Sequence, residues 1–210
     1  LQAMAEQTGV HVLVDEVYLD VTNLIHGSLA ASEASATARA VGRYTPAALV
    51  GDRLLSISSL TKSYGLGGLR CGWIIAAPDL AERARRVRDV IDNIGAAPAD
   101  RLSVLAFSQL DQLAQRAQMH VSKNLAIALS FFAHHPNLEL AAPMEATIVF
   151  PRMSEVADTD AFVDRLFAEH GVAVVPGRFF GARNHIRISL AGRTDVLAEG
   201  LDRLTRALSA

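Results

Sequence analysis

A nearly continuous apolar stretch near the start of the chain, VHVLV at residues 10–14, constrains the fold more than any other feature. A run of this kind is typical of a strand that is buried on both faces, as in sheets covered by helices. Residues 52–58 (DRLLSIS) and 71–77 (CGWIIAA) are two further strand candidates. The first part of the chain is therefore predicted to be α/β, with a mixed, mainly parallel sheet.

Prolines mark the predicted starts of the helices that follow these strands. Pro78 precedes a helical pattern over 79–94, and Pro98 precedes a helical region over 99–135. The second region is too long for one ordinary helix, so a break is expected within it. Between the first two strands, the Ala- and Ser-rich stretch from about Thr22 to Thr45 is predicted to be a long loop.

The pattern of elements changes after Pro136. Short apolar runs at 138–140, 146–151, 171–176 and 185–191 alternate with helical patterns at 158–170 and 194–208. Strands and helices in this order predict a small α+β unit. We place the domain boundary near residue 119, which gives a partial large domain at 1–118 and a small C-terminal domain at 119–210.

Composition argues against several classes of partner. Twenty Lys and Arg against 22 Asp and Glu give a net charge of −2, whereas nucleic-acid binders are usually basic. No apolar run approaches the ~18 residues that suggest a membrane span. The single cysteine, Cys71, excludes an internal disulfide, favours a reducing, cytoplasmic compartment and is interpreted as a core residue. His134 and His135 lack a third ligand at suitable spacing, so no metal site is expected.

The segment 58–73, SSLTKSYGLGGLRCGW, carries the first candidate chemistry. Lys62 follows a predicted strand, at the edge where α/β sheets bind ligands, and a lysine held there can attack a carbonyl. Arg70 offers a planar guanidinium for a phosphate, and Ser59 offers a hydroxyl. Glycines at 65, 67 and 68, between Lys62 and Arg70, let the backbone pass close to a ligand. The segment matches neither a dinucleotide-binding turn nor a P-loop. From these residues alone, a surface lysine beside a structural arginine is an equally open interpretation.

The segment 14–20, VDEVYLD, carries the second candidate. Asp15 follows the predicted buried strand, and Tyr18 comes three residues later. A carboxylate at a buried strand end needs a partner, because its desolvation is costly. A protonated ring nitrogen would be one partner, whereas a helix N-cap or a salt bridge is the alternative that the residues leave open.

Taken together, these segments resemble the cofactor half of a fold-type I pyridoxal-phosphate aminotransferase of class I/II. The resemblance implies that Lys62 bonds covalently to the cofactor aldehyde and later moves the proton at the substrate α-carbon. It also implies that Asp15 pairs with the pyridinium nitrogen and that Tyr18 hydrogen-bonds the ring hydroxyl. Ser59 and Arg70 would hold the phosphate. A carboxylate that keeps the ring nitrogen protonated makes the ring an electron sink.

The segment 176–192, PGRFFGARNHIRISLAG, resembles the small-domain signature of the same family. By this resemblance Arg187 binds the substrate carboxylate, and strand alternation predicts that it faces opposite to Ile186 and Ile188. An exposed strand arginine is the alternative. Arg178, Arg183 and Arg193 are interpreted as surface residues.

The resemblance implies an enzyme that transfers an amino group between an α-amino acid and a 2-oxo acid, and we expect it to form a homodimer. The chain begins with Leu1, and the half of the family that precedes these motifs is absent from the sequence, so we expect this chain to be a C-terminal half without activity of its own. A lyase or decarboxylase of the same fold, or a cofactor-binding sensor domain of a transcription regulator, are the alternatives.

Overall fold

The computed structural model describes residues 1–23, 45–92, 95–141 and 147–209. It divides into two compact units, Leu1–Gln118 and Met119–Ala210. The loop predicted from about Thr22 to Thr45 lies almost entirely outside the described residues.

The first unit is built on a mixed three-stranded sheet. The short helix α1 (Gln2–Thr8) ends at Gly9 and leads into strand β1 (Val12–Asp15). Strand β2 (Leu54–Ser59) pairs in parallel with β1, and β3 (Gly72–Ile75) pairs antiparallel with β2. The three predicted strands therefore form one sheet in the order β1-β2-β3.

Three helices follow the sheet in sequence: α2 (Pro78–Ile91), α3 (Ala97–Phe107) and α4 (Leu110–Ala133). The break expected in the long helical region lies between α3 and α4. Trp73 of β3 contacts Phe107 of α3 edge to face, with ring centroids 5.4 Å apart. Glu82 pairs with Arg85 and Arg86 on the exposed surface of α2. No described helix is long and apolar enough to cross a membrane.

The prediction that β1 is buried on both faces is wrong for the described residues. Leu54 and Ser56 of β2 are 3% and 1% exposed, so one face of the sheet is covered. On the other face, Leu13 is 59% exposed and Ile74 is 51% exposed. The described chain packs against one side of the sheet only, and the local apolar run does not reveal which faces are covered.

The second unit combines two small sheets with two helices. Strands β5 (Ile148–Val149), β8 (Ile186–Ser189) and β7 (Val175–Pro176) form an antiparallel sheet with β8 in the middle. Strands β4 (Leu138–Glu139) and β6 (Arg152–Met153) form a second antiparallel pair. Helices α5 (Asp160–His170) and α6 (Thr194–Leu208) contact each other and bury Leu166, Leu201 and Leu204. This is the α+β arrangement predicted for the second part of the chain.

Candidate active site

Asp15 and Ser59 lie at the same end of two parallel strands. Asp15 is in register with Ile57, and Ser59 is two residues further along β2. Because side chains alternate between the faces of a sheet, Asp15, Ile57 and Ser59 share one face. This is the face on which Leu13 and Ile74 are exposed.

A pocket of about 470 Å³ lies where β2 ends and β3 begins. Its lining provides hydroxyl, ammonium and guanidinium groups and contains no carboxylate. Positive charges and hydroxyls without a competing carboxylate are the chemistry of an anion site. The lining residues are Ser59, Thr61, Lys62, Arg70, Cys71 and Gly72. The structure thus brings Ser59, Lys62 and Arg70 together. The interpretation of Cys71 as a core residue is wrong, since Cys71 is only partly buried.

The Lys62 side chain is exposed and makes no hydrogen bond or ion pair with any described residue. The neighbouring backbone is constrained, because the Thr61 amide donates a hydrogen bond to the Ser59 hydroxyl at 3.3 Å. The amine is therefore available to a ligand in this pocket.

Arg70 is the one described residue other than glycine with a positive φ, at 52°. It ends the 3₁₀ turn Gly67–Leu69 in the left-handed region, which a side chain with a Cβ disfavours. Strain of this kind at a non-glycine residue is common at functional sites. Its guanidinium has no described carboxylate partner and makes only a long contact, 3.5 Å, with the Gly67 carbonyl.

The glycines of this segment differ in what they contribute. Gly65 has φ of 71°, so the turn after Lys62 requires it, whereas a Cβ at Gly68 would meet open space. Gly72 lies opposite Ser59 across the β2–β3 pair. A Cβ there would lie 3.2 Å from the Ser58 carbonyl oxygen and 3.6 Å from the Ser59 Cβ. A side chain at position 72 would therefore crowd the pocket beside Ser59.

Asp15 does not form the buried salt bridge that the sequence left open. Its carboxylate is exposed and accepts a hydrogen bond from the Val17 amide at 3.2 Å, which closes a local turn. The other carboxylate oxygen, Oδ2, has no hydrogen-bond partner among the described residues and is available to a ligand. Tyr18 is half-buried, and its carbonyl accepts hydrogen bonds from the amide and the hydroxyl of Thr22.

Arg187 lies in β8, the middle strand of its sheet. Ile186 is fully buried and Ile188 is 6% exposed, whereas Arg187 is half-buried, so its side chain faces away from theirs as alternation predicts. The guanidinium lies over the ring of Phe180, 5.6 Å from its centroid. That ring in turn contacts Phe150.

The neighbouring arginines already have carboxylate partners. Arg178 pairs with Asp160, Arg183 with Asp158 and Arg193 with Asp195, at 2.5–2.6 Å. Arg187 forms no ion pair with a described residue. It is therefore the arginine of this segment that remains free to bind a carboxylate from outside.

Beside Lys62 lies a set of contacts that the sequence patterns did not predict. The Ser63 hydroxyl donates to the Val17 carbonyl at 3.0 Å and accepts from the Val21 amide at 3.4 Å. The Tyr64 hydroxyl donates to the Asp20 carboxylate at 3.0 Å. These partners are remote in sequence, and the only available signal was the position of Ser63 and Tyr64 directly after the lysine. Among the described residues, no cluster of His, Cys, Asp and Glu could hold a metal ion.

Comparison with known proteins identifies the family. Residues 1–204 match the family model of the class I and II aminotransferases. A capreomycidine synthase from Streptomyces vinaceus is 32% identical over 158 residues, which are 75% of this chain and 41% of that relative. An aspartate aminotransferase from Thermococcus kodakarensis is 29% identical over 206 residues, 98% of this chain and 48% of that relative.

The fold agrees with this assignment. A solved PLP-dependent aminotransferase from Streptococcus suis superposes with a TM-score of 0.84 at 25% identity, over 99% of this chain and 50% of that protein. The chain thus spans about half the length, or less, of the relatives that it matches. Pyridoxal phosphate is the cofactor that the family and its structures indicate. The chain belongs to the class I and II aminotransferases.

Proposed function

We propose that the intact natural protein is a pyridoxal-phosphate-dependent aminotransferase, to which this chain contributes the C-terminal half. It transfers an amino group between an α-amino acid and a 2-oxo acid. The observation that carries the proposal is the pocket that places the amine of Lys62, which has no partner among the described residues, beside Ser59 and Arg70. The relatives named as aminotransferases support this reaction over the lyase, decarboxylase and sensor alternatives.

The residues of this pocket fit the cofactor. When bound, pyridoxal phosphate supplies an aldehyde that reacts with amines and a ring that accepts electrons. Ser59 and Arg70 provide a hydroxyl and a positive charge for the phosphate, and the space left by Gly72 keeps Ser59 accessible. Lys62 provides the amine that bonds to the aldehyde.

The remaining roles follow from the charges of the side chains. Asp15 would accept a hydrogen bond from the ring nitrogen of the cofactor and so favour its protonated form. Tyr18 would donate a hydrogen bond to the ring hydroxyl. Lys62 would hold and move the proton at the substrate α-carbon.

Arg187 orients the substrate. A guanidinium binds a carboxylate through two parallel hydrogen bonds, which fixes the direction of the α-carbon. Its lack of a described carboxylate partner supports this role, since the three neighbouring arginines are already paired. The stacking of its guanidinium on Phe180 restricts the directions in which it can point.

We also propose the domain assignment, the oligomeric state and the cellular location of the enzyme. The unit Leu1–Gln118 corresponds to a partial large, cofactor-binding domain, and the unit Met119–Ala210 to the small domain. The exposed apolar side chains Leu13 and Ile74 are compatible with a homodimer, although they do not identify its interface. A single, unpaired cysteine is compatible with a cytoplasmic location.

The test is an assay of the intact natural protein with a panel of α-amino acids and a 2-oxo acid acceptor. Aminotransferase activity should give a new amino acid and a new 2-oxo acid in equal amounts. Release of carbon dioxide or ammonia in their place would indicate a decarboxylase or a lyase. Binding of pyridoxal phosphate without any turnover across the panel would favour a sensor.

A further inference from the structure

Two segments of the first unit are joined directly beside the candidate lysine. We call residues 60–66 the lysine loop and residues 15–21 the aspartate segment, which carries both Asp15 and Tyr18. The Ser63 hydroxyl bonds to the aspartate segment twice, to the Val17 carbonyl and the Val21 amide. Ser63 is 4% exposed and Val21 is 1% exposed, so the bond between them is shielded from water.

A second link lies one residue further along the lysine loop. The Tyr64 hydroxyl donates to a carboxylate oxygen of Asp20 at 3.0 Å. Hydrogen bonds to an ionised acceptor are stronger than those between neutral groups. Burial, and then the negative charge of Asp20, raise the pKa of Tyr64, so this hydroxyl keeps the proton that the bond needs.

The other side of Lys62 is also fixed. Leu60 is fully buried, and its amide donates to the Cys71 carbonyl at 3.1 Å. The Leu66 amide donates back to the Leu60 carbonyl at 3.0 Å and closes the lysine loop. Lys62 thus lies between one anchor at Leu60 and another at Ser63 and Tyr64, while its own side chain makes no hydrogen bond or ion pair with a described residue.

This arrangement fixes the backbone of Lys62 and leaves its amine free. A nucleophile that must reach one atom of a bound ligand needs this combination, because small displacements of a reacting group lower the rate strongly. The anchor is attached to the segment that carries Asp15 and Tyr18. It therefore sets the lysine relative to the two groups proposed to bind the cofactor ring.

We propose that Ser63 and Tyr64, the latter through Asp20, are positioning residues that hold Lys62 in place against the aspartate segment. The inference rests on the proposed function, since Lys62 needs a fixed position only if it reacts with a bound ligand. None of the three residues lines the pocket, and they act through the backbone of the lysine loop.

The experiment measures how fast Lys62 reacts, using pyridoxal phosphate as the probe on the intact natural protein stripped of cofactor. Borohydride quenching at successive times, followed by mass spectrometry of the peptide that contains Lys62, gives the labelling rate. The variants are Tyr64→Phe, Asp20→Asn, the double variant, Ser63→Ala and Ser63→Thr. Thr205→Val is the matched control, because Thr205 also makes a half-buried side-chain hydrogen bond, to His135, but in the second unit.

Circular dichroism first identifies a temperature at which every variant is fully folded. Under these conditions, Tyr64→Phe, Asp20→Asn and Ser63→Ala should each slow labelling by about five- to tenfold, the scale of one hydrogen bond. The double variant should be no slower than Tyr64→Phe, because both changes remove the same bond. Ser63→Thr keeps the hydroxyl and should recover most of the rate.

Amide hydrogen exchange supplies a readout that needs no cofactor. The same variants should exchange faster in residues 60–66 and 15–21 together, while the control should not. In steady-state assays of these variants, kcat should fall while KM changes little. Lys62 is displaced in them, whereas the proposed substrate-binding residue Arg187 is unchanged.

Labelling rates within about twofold of the wild type in folded variants would overturn the inference. An equal loss of rate in Thr205→Val would do the same, because it would indicate a general effect on stability. If the wild-type protein is not labelled at Lys62 at all, the proposed function fails, and the inference that rests on it fails with it.

Discussion

Asp15 and Ser59 lie on the same face of the sheet, at the ends of two parallel strands that are separated by a long stretch of sequence. Parallel pairing of β1 and β2 is what brings them together, because it puts the carboxyl ends of both strands at one edge. The groups proposed for the two ends of the cofactor, its ring nitrogen and its phosphate, are therefore set by the register of a single strand pair.

Lys62 is the residue that should react with pyridoxal phosphate. In the intact natural protein, cofactor followed by borohydride should label the peptide that contains Lys62, and Lys62→Ala should abolish this label and the activity. Lys123 is the matched control, because it is the other lysine of this chain and is exposed on α4. Lys123→Ala should leave both unchanged. Covalent labelling of another lysine at the same rate in Lys62→Ala would contradict the assignment.

Asp15 should control the chemistry of the cofactor and contribute little to folding. Asp15→Asn should keep the melting temperature nearly unchanged, since the carboxylate is exposed and its one described bond is local. Loss of proton abstraction by several orders of magnitude is expected, because an amide does not keep the ring nitrogen protonated. Single-turnover kinetics measure this step. Asp52→Asn, at another exposed aspartate of the first unit, is the control, and near-normal turnover in Asp15→Asn would rule out the role.

Arg187 should discriminate between substrates with and without a carboxylate. Arg187→Ala should weaken α-amino acids by about 2–5 kcal/mol if the contact is desolvated, and should leave amines without a carboxylate nearly unaffected. The comparison of kcat/KM for both substrate types measures this difference. Arg183→Ala is the control, because Arg183 is exposed and paired with Asp158. An equal loss for both substrate types would mean that Arg187 is structural.

Tyr64 should make the free energy of unfolding depend on alkaline pH. Burial and Asp20 raise the pKa of Tyr64 above the ~10 of an unfolded tyrosine. The folded chain then keeps a proton that the unfolded chain releases, so this contribution is complete below about pH 10 and is lost as the pH rises through the folded pKa.

Urea unfolding at a series of alkaline pH values measures this dependence. Tyr64→Phe should be less stable at neutral pH and should lose stability more slowly above about pH 10. Asp20→Asn keeps the burial but removes the charge, so its slope should be intermediate. Identical slopes for the wild type and Tyr64→Phe would contradict the assignment.

The sequence predicted much of the fold because its signals are local. Apolar runs indicated the three strands of the first sheet, and Pro78 marked the first residue of α2. The alternation around Arg187 indicated which way its side chain faces, since period-two patterning needs no knowledge of the rest of the chain. The grouping of Ser59, Lys62 and Arg70 followed from their closeness in sequence around one turn.

The rest depends on contacts that no local pattern encodes. Leu13 belongs to an apolar run whether or not something covers it, so the run could not predict an exposed face. The hydrogen bond between Tyr64 and Asp20 forms only in the folded chain, and no local sequence pattern at either residue predicts the other as its partner. Cys71 lies next to a strand, and only the turn that precedes it places it at a pocket.

Two requirements at position 70 favour different residues: the left-handed backbone favours glycine, whereas the pocket needs the guanidinium of arginine. Glycine would adopt its left-handed conformation without strain, but it would remove the guanidinium from the pocket. No single residue serves both the turn and the anion, because glycine suits the left-handed backbone and arginine supplies the positive charge. Arg70→Gly is thus a substitution that design for thermal stability alone would choose, and it would remove a positive charge from the pocket at which the chain is proposed to bind phosphate.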